Sequence, residues 1–490
     1  MTFAQWDRRA DGVAGVLDAL GVAKGDVVGL LLPSSIEYAI VYAALQRVGA
    51  ITSGINPRVG RGELSSIVER TRPVLVVFEP GGPDVPAGPW RSLPLGSLIE
   101  GSDGPPPPRW PSLSAHDPVA VVWTSGTTGV PKGALFDHAN LAAVARGTDV
   151  LSQPGDRRLS PLPFAHVSYM TRAWDEVEHG VTTVITPTPW RADDAVRILE
   201  EERITVAQGV PTQWALMLES EQLDRVDLAS LRVAGTGAAR MSAAMVAAVR
   251  DRFGVPLVVR YTSTEASLGT GTTFASSDEE VATTVGSPVG GVELRVVGDD
   301  GTPLPPGAIG MVQLRSGAVM RGYWGQGPGR GRPMEELLDP GATATVLGPD
   351  GWLTMGDFGS IDGRGNLVLS GRVHERYIRG GYNVYPAEVE EVLVSHPTVA
   401  RASVVGVPDD VLGEIGVAVV VAADGASPPR LEDLRRHCAG TLADYKSPDV
   451  LVLVDEIPLT PMMKVDTRRV GDLAGPAVAE RRAQLAARTR

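Results

Sequence analysis

Residues 124–133 read Thr-Ser-Gly-Thr-Thr-Gly-Val-Pro-Lys-Gly, directly after the apolar run Val119-Ala120-Val121-Val122-Trp123. Glycine lets backbone N–H groups approach a ligand closely, and the hydroxyls of Thr124, Ser125, Thr127 and Thr128 donate hydrogen bonds. Lys132 adds a positive charge. A loop of this make-up straight after a strand suits a polyphosphate. It is not a Walker loop, because Pro131 precedes the lysine and Gly133 follows it. With common residues at roughly 7% each, nine specified positions match by chance about once in 10^8. The plain alternative, a flexible surface loop, is set aside on that ground.

Other stretches carry groups that could do chemistry: Pro161-Leu162-Pro163-Phe164-Ala165-His166, Val233-Ala234-Gly235-Thr236-Gly237-Ala238-Ala239 and Tyr261-Thr262-Ser263-Thr264-Glu265. Further on come Gly351-Trp352-Leu353-Thr354-Met355-Gly356-Asp357, Gly371-Arg372, Gly380-Gly381 and Pro461-Met462-Met463-Lys464. Taken singly, each has an ordinary reading. Glu265 and Lys464 read as solvated side chains, Tyr261 and His166 as core residues, Asp357 and Arg372 as a structural pair, and Gly380-Gly381 as a turn.

The elements that must position these groups alternate between helix and strand. Helical periodicity spans residues 4–20 and 36–48, with strands at 27–32 and 74–78 and a helix entered from Pro57. After the phosphate loop the alternation resumes, with strands at 181–185, 205–208, 231–235 and 255–259 and helices at 192–202 and 242–253. Repeated β-α-β predicts parallel sheets with helices on their faces. From about Gly286 short β runs predict a small β-rich subdomain, and residues beyond Arg372 predict a compact α+β unit. The Pro/Gly-rich residues 80–111 predict an irregular connection, and 325–348 a mobile loop. The fold class is therefore α/β. Residues 1–372 form a large N-terminal domain of two doubly wound α/β subdomains plus a small β-rich one. Residues 373–490 form a small, mobile α+β C-terminal domain.

Composition narrows the partners. The 490 residues carry a net charge of −13 and no basic stripe, which excludes a general nucleic-acid surface. No window reaches 18 consecutive apolar residues, so no membrane span is expected. The N-terminus reads as an amphipathic helix and not as a signal peptide. The one cysteine, Cys438, excludes an internal disulfide and a cysteine-based metal site, and reads as a small core residue. A reducing, cytoplasmic location is expected.

In their order along the chain these motifs resemble the adenylate-forming superfamily, which includes acyl- and aryl-CoA synthetases, peptide-synthetase adenylation domains and luciferases. The resemblance runs from the first helix to Lys464. It implies a two-step ligase. An organic carboxylate attacks ATP·Mg²⁺ to give an acyl-adenylate and pyrophosphate, and the thiol of coenzyme A then takes the acyl group. By that resemblance Thr124, Ser125, Gly126, Thr127, Thr128 and Lys132 hold the phosphates, with Lys132 a clamp on the departing pyrophosphate. Glu265 and Thr128 hold Mg²⁺, beside Thr264, and both rank with Lys464 and His166 among the catalytic residues. Gly237, Ala238 and Tyr261 border the adenine. Asp357 and Arg372 take the ribose, with Arg372 also able to reach the phosphate. Lys464 stabilises the charge that develops at the α-phosphate.

The acid pocket implied is His166, Tyr169, Met170, Val210, Thr236 and Thr262, with His166 also gating it. His374 stands at the hinge about which the C-terminal domain turns between half-reactions, and Gly380 and Gly381 line the tunnel for pantetheine. The sequence departs from the family pattern at Met463, where Gly is usual, and at Arg260 and Thr262, where relatives often have Gly; the latter two reshape the pocket. The alternative acceptors are the phosphopantetheine of an acyl carrier protein and a non-thiol nucleophile such as an amine. A nucleotide sensor without chemistry would tolerate loss of Lys464, Glu265 or Asp357, and all three are present.

Overall fold

The computed structural model describes residues 1–124, 131–372, 376–380, 382–409, 412–425, 427–460 and 465–488. The chain forms two compact units. The first comprises Met1–Ala238, Ala243–Leu294 and Gln313–Met355, and the second Ala239–Ser242, Arg295–Val312 and Gly356–Arg490.

Unit one is built on two seven-stranded sheets. The first runs Gly322–Tyr323, Lys132–Asp137, Pro118–Thr124, Ile51–Ile55, Val27–Leu31, Leu75–Phe78, Arg91–Pro94. Its central strands are parallel, and every residue of Val27–Leu31 and Ile51–Ile55 is buried. Continuous apolar runs are what a parallel sheet covered on both faces requires. Lys132–Asp137 and Gly322–Tyr323 are antiparallel, so the sheet is mixed and not purely parallel as the β-α-β reading predicts. The second sheet runs Ser287–Pro288, Thr270–Gly271, Leu257–Tyr261, Val233–Gly237, Val206–Gly209, Arg157–Ser160, Thr182–Ile185, again with antiparallel strands at one edge.

The helices read from periodicity are present as Phe3–Ala19, Ile36–Arg47, Ala192–Glu201 and Ala243–Phe253. The first opens with a capping box. Thr2 accepts from the Gln5 N–H at 3.2 Å, and its own N–H donates to the Gln5 side chain at 2.8 Å.

Unit two holds a mixed sheet in which Tyr382–Val384, Tyr377–Arg379, Gly413–Ala422 and Val399–Asp409 follow one another. Val450–Leu453 runs parallel to Gly413–Ala422. The helix Thr467–Arg488, which the sequence reading missed, lays Val470, Ala474 and Val478 into the core at four-residue steps. Cys438 is buried in the apolar cluster of this unit.

Two expectations for loops need correction. Within 80–111 the chain forms a strand, Arg91–Pro94, and a helix, Leu95–Ile99, with Pro94 at the helix N-cap where proline costs nothing. Within 325–348 it forms the helices Met334–Leu337 and Pro340–Ala344. The Gly-rich part of that stretch is anchored. Arg330 Nε donates to Asp26 Oδ1 at 2.7 Å and its Nη2 to the Gly21 carbonyl at 2.8 Å. Asp26 is 1% exposed and also accepts from the Ala23 N–H at 2.9 Å. Among the described residues no helix is long and apolar enough to cross a membrane.

Replacing Asp26 by Ala removes the charge-assisted bonds that pin residues 325–333. Stability is expected to fall by about 2 kcal/mol in urea unfolding, and limited proteolysis should cut within this stretch faster than in the wild type. An unchanged cleavage rate would show that the anchor does not hold the loop.

Candidate active site

The two ends of the phosphate loop are joined by sheet pairing. Thr124 faces Lys132 across antiparallel strands, and the Thr124 hydroxyl donates to the Lys132 carbonyl at 3.3 Å. Trp123 Nε1 donates to Ser53 Oγ at 2.9 Å and ties the strand end to its neighbour. Ser125, Gly126, Thr127 and Thr128 lie outside the described residues.

Lys132 Nζ sits 5.1 Å from the centre of the Tyr323 ring, within cation–π range. The Tyr323 hydroxyl donates to Glu265 Oε1 at 2.7 Å, so one tyrosine meets Lys132 over its ring and Glu265 at its hydroxyl. Burial raises the Tyr323 pKa and the Glu265 charge raises it further, so the phenol keeps its proton and stays a donor. The sequence reading missed Tyr323. Its signal is the Gly322-Tyr323-Trp324 triplet, far along the chain from both partners.

The segment bearing Tyr323 is fixed from several sides. The Arg321 N–H donates to the Leu135 carbonyl at 2.8 Å, and the Trp324 N–H to Gly133 at 2.7 Å. The Met320 N–H reaches the Glu265 carbonyl at 2.8 Å. Arg321 Nε donates to Asp137 Oδ2 at 2.6 Å. Asp137 is 0% exposed and caps the helix His138–Gly147 by accepting from the Asn140 N–H at 2.8 Å. Asn140 in turn donates to the carbonyls of Gly317 and Val319.

Parallel strands Val233–Gly237 and Leu257–Tyr261 end side by side, and the carboxyl ends of such strands are where open α/β sheets bind ligands. A Cβ on Gly237 would stand 2.7 Å from the Arg260 carbonyl, so only glycine allows this approach. Ala238 takes φ +71°, a left-handed backbone uncommon outside glycine. Strain of this kind gathers at functional positions. The Thr236 hydroxyl is buried with no hydrogen-bond partner among the described residues. Thr264 is half-buried, and Thr262 is exposed with its hydroxyl on the Ser263 carbonyl at 3.2 Å. Val210 is buried at the start of the helix Pro211–Leu218.

His166 caps the short helix Val167–Met170, its Nδ1 accepting from the Ser168 N–H at 3.3 Å. Tyr169 stacks on Phe164 with ring centres 3.6 Å apart, and Tyr38 meets both edge-on. The Tyr42 hydroxyl donates to the Met170 carbonyl at 2.6 Å. Tyr169 and Met170 therefore belong to a buried aromatic cluster as well as to the segment read as acid pocket.

In unit two, Asp357 and Arg372 face each other across strands Leu353–Ile361 and Leu367–Arg372, with Arg372 Nε 3.3 Å from Asp357 Oδ1. The carboxylate is buried and the guanidinium exposed. Gly380 takes φ +56° and donates its N–H to the Leu412 carbonyl at 2.7 Å. His374, Gly381 and Lys464 lie outside the described residues.

A charged cluster that the sequence reading passed over lies in unit one. Arg158 Nη2 donates to Asp175 Oδ2 at 2.7 Å and to Ser152 Oγ at 2.6 Å. Arg172 Nη2 reaches the same two acceptors only at 3.5 Å. Burial pushes the Asp175 carboxyl up, but Arg172 and Arg158 outweigh it and hold it below the usual range. Glu176, beside them, goes the other way. Burial lifts its carboxyl to about 7, although the Thr183 hydroxyl donates to it.

Among the described residues no group of three His, Cys, Asp or Glu side chains could hold a metal. One carboxylate, Glu265, fits Mg²⁺ that arrives with nucleotide phosphates, since that ion keeps its waters and takes few protein ligands.

This fold and these motifs define an adenylating enzyme, and the chain belongs to the AMP-binding enzyme family. The family profile matches residues 1–324, and that of the AMP-binding enzyme C-terminal domain matches residues 388–464. A long-chain-fatty-acid–CoA ligase of Mycobacterium tuberculosis is 31% identical over 480 residues, covering 95% of this chain and 91% of the relative. An indoleacetate–CoA ligase of Aromatoleum aromaticum is 33% identical over 485 residues, with the same coverage of 95% and 91%. The crystal structure of ATP-bound MatB from Rhodopseudomonas palustris superimposes with a TM-score of 0.84 at 28% identity, covering 96% of this chain and 92% of that one.

The raised Glu176 carboxyl has a signed consequence. The folded protein holds this proton between 4.5 and about 7 while the unfolded chain has lost it. Stability therefore falls as pH rises through that window, and the penalty is complete above it. Glu176→Gln should be more stable than the wild type by about 3 kcal/mol well above that window, and equal to it below. Denaturant unfolding at several pH values measures the difference. A gap independent of pH would sink the assignment.

Proposed function

We propose that this protein is an AMP-forming acid–CoA ligase. Its family membership and its relatives, fatty-acid–CoA and indoleacetate–CoA ligases among them, support that activity. ATP, Mg²⁺ and coenzyme A are the cofactor and co-substrates it implies. The observation that carries the reading is the convergence of Lys132 and Glu265 on Tyr323. It gathers on one residue a cation and a carboxylate, the two charges that a nucleotide triphosphate and its divalent ion call for.

Activation is needed because a carboxylate is a poor electrophile and hydroxide a poor leaving group. In the first step a carboxylate oxygen attacks the α-phosphorus. A new P–O bond forms, the bond to the bridging oxygen breaks, and pyrophosphate leaves. In our reading Thr124, Ser125, Gly126, Thr127 and Thr128 donate to the phosphates and Lys132 neutralises the departing pyrophosphate. Glu265 with Thr128 would hold the Mg²⁺, which shields the phosphate charge. Tyr261, Gly237 and Ala238 face the base, and Asp357 with Arg372 takes the ribose hydroxyls. Lys464, the residue we place at the α-phosphate, stabilises the charge that builds between two anions.

In the second step the thiol sulfur attacks the acyl carbon, loses its proton and expels AMP. Gly380 and Gly381 leave room for the pantetheine chain. We assign the two half-reactions to an adenylation domain of residues 1–372 and a C-terminal domain of 373–490 hinged at His374. With a single cysteine and no disulfide to form, a reducing cytoplasm is the proposed location.

Lys464→Ala should lower acid-dependent ATP–pyrophosphate exchange by about 10²–10³-fold while thioester formation from pre-made acyl-adenylate is largely kept. Equal loss of both half-reactions would show that Lys464 does not act at the α-phosphate alone.

A further inference from the structure

Tyr261 and Thr262 form part of the wall of a small cavity in unit one whose polar lining also includes Asp149, Arg172, Arg260 and Ser267, with Thr148 and Thr270, whose hydroxyls donate elsewhere. Its free volume is about 40 Å³. One water needs roughly 10–15 Å³ on this measure. The space therefore suits a group the size of a carboxylate and is too small for a long alkyl tail.

The two arginines differ in what they have left to give. Arg260 is spent, since its Nη1 donates to the carbonyls of Val259 and Thr272 at 2.9 and 3.0 Å and its Nη2 pairs with Asp149. Arg172 is not. Its two hydrogen bonds are both 3.5 Å long, at the limit of the interaction, and their acceptors already serve Arg158 at shorter range. A guanidinium carries five N–H donors, so most of its capacity is open. Burial and the like charges of Arg158 and Arg260 lower its pKa against the raising pull of Asp175, an ion pair that Arg172 shares with Arg158.

Ser267 adds a second, independent observation. It is 7% exposed and lines the cavity, and its hydroxyl is buried with no partner among the described residues. It also holds φ +57°, a left-handed backbone that a serine adopts only when its surroundings impose it. A buried hydroxyl and a half-buried guanidinium with only long hydrogen bonds thus line a volume that fits one oxyanion. A methyl-ended acid placed here would leave both polar groups unpaired against hydrocarbon, which is costly.

We propose that this cavity is the far end of the acid-binding site and takes a second carboxylate of the substrate, paired with Arg172 and accepting from Ser267. The inference rests on the acid–CoA ligase reading and adds a substrate class to it: a short acid carrying a carboxylate at each end. No bond is made or broken at this second group.

The test is acid-dependent ATP–pyrophosphate exchange with chain-matched pairs, each a monocarboxylate ending in methyl and its partner ending in carboxylate. Ligand-induced shifts in Tm for the same acids are measured in parallel. The wild type should favour the carboxylate-ended member by at least about ten-fold in kcat/KM. Arg172→Leu should bring that ratio near one, and Arg172→Lys should restore part of it. Ser267→Ala, a smaller change that leaves the Asp175 cluster alone, should lower the ratio several-fold. Exchange confined to methyl-ended acids would overturn the proposal and leave the ligase reading standing. Absence of exchange with every acid, alongside a Tm rise with dicarboxylates that Arg172→Leu abolishes, would overturn the ligase reading and keep the anion site. Neither exchange nor a Tm rise would end both.

Discussion

One buried carboxylate governs the assembly of unit one's site. Asp137 lies at the end of the strand that follows the phosphate loop, caps the next helix, and accepts from Arg321. A carboxylate at 0% exposure must be paired or it destabilises the fold. Its partner therefore cannot wander, and Arg321 brings Gly322 and Tyr323 into the sheet with it. Through that tie Tyr323 reaches Glu265 on one side and lies under Lys132 on the other. The charges proposed to meet a nucleotide are thus set by an ion pair that touches no substrate.

Much of the frame was legible in the sequence because parallel α/β folds announce themselves twice, in the period of their helices and in the continuous apolar runs of their strands. Val27–Leu31 and Val233–Gly237 could be placed for that reason. What was not legible followed from residues whose local chemistry misleads. Proline at 94 hides a strand and a helix because it sits at a cap, and Gly471, Gly475 and Pro476 conceal the long final helix. Tyr323 was missed for a different reason. Its contact with Glu265 spans 58 residues, and nothing near it in sequence hints at a carboxylate.

The site residues named from motifs divide in the same way. Gly237, Ala238 and Tyr261 come together because their strands are in register, a property of the sheet. Asp357 and Arg372 face each other across one strand pair, so fifteen residues of local sequence suffice to place them. The Arg158, Arg172 and Asp175 cluster shows the limit of such reasoning. No motif marks its members in the sequence, and only the fold brings them into one polar network.

The pairing of Gly322–Tyr323 with Lys132–Asp137 also bears on how the chain is made. Arg321 follows Asp137 by 184 residues. At roughly 5–20 residues per second, a ribosome needs about 10–40 s to supply it. During that interval the growing chain carries a bare strand edge and, beside it, an acid that lacks its arginine partner. Bare edges invite pairing with other chains. The nascent protein is thus most exposed to aggregation while its middle third is being translated, and a holding chaperone would matter most in that window.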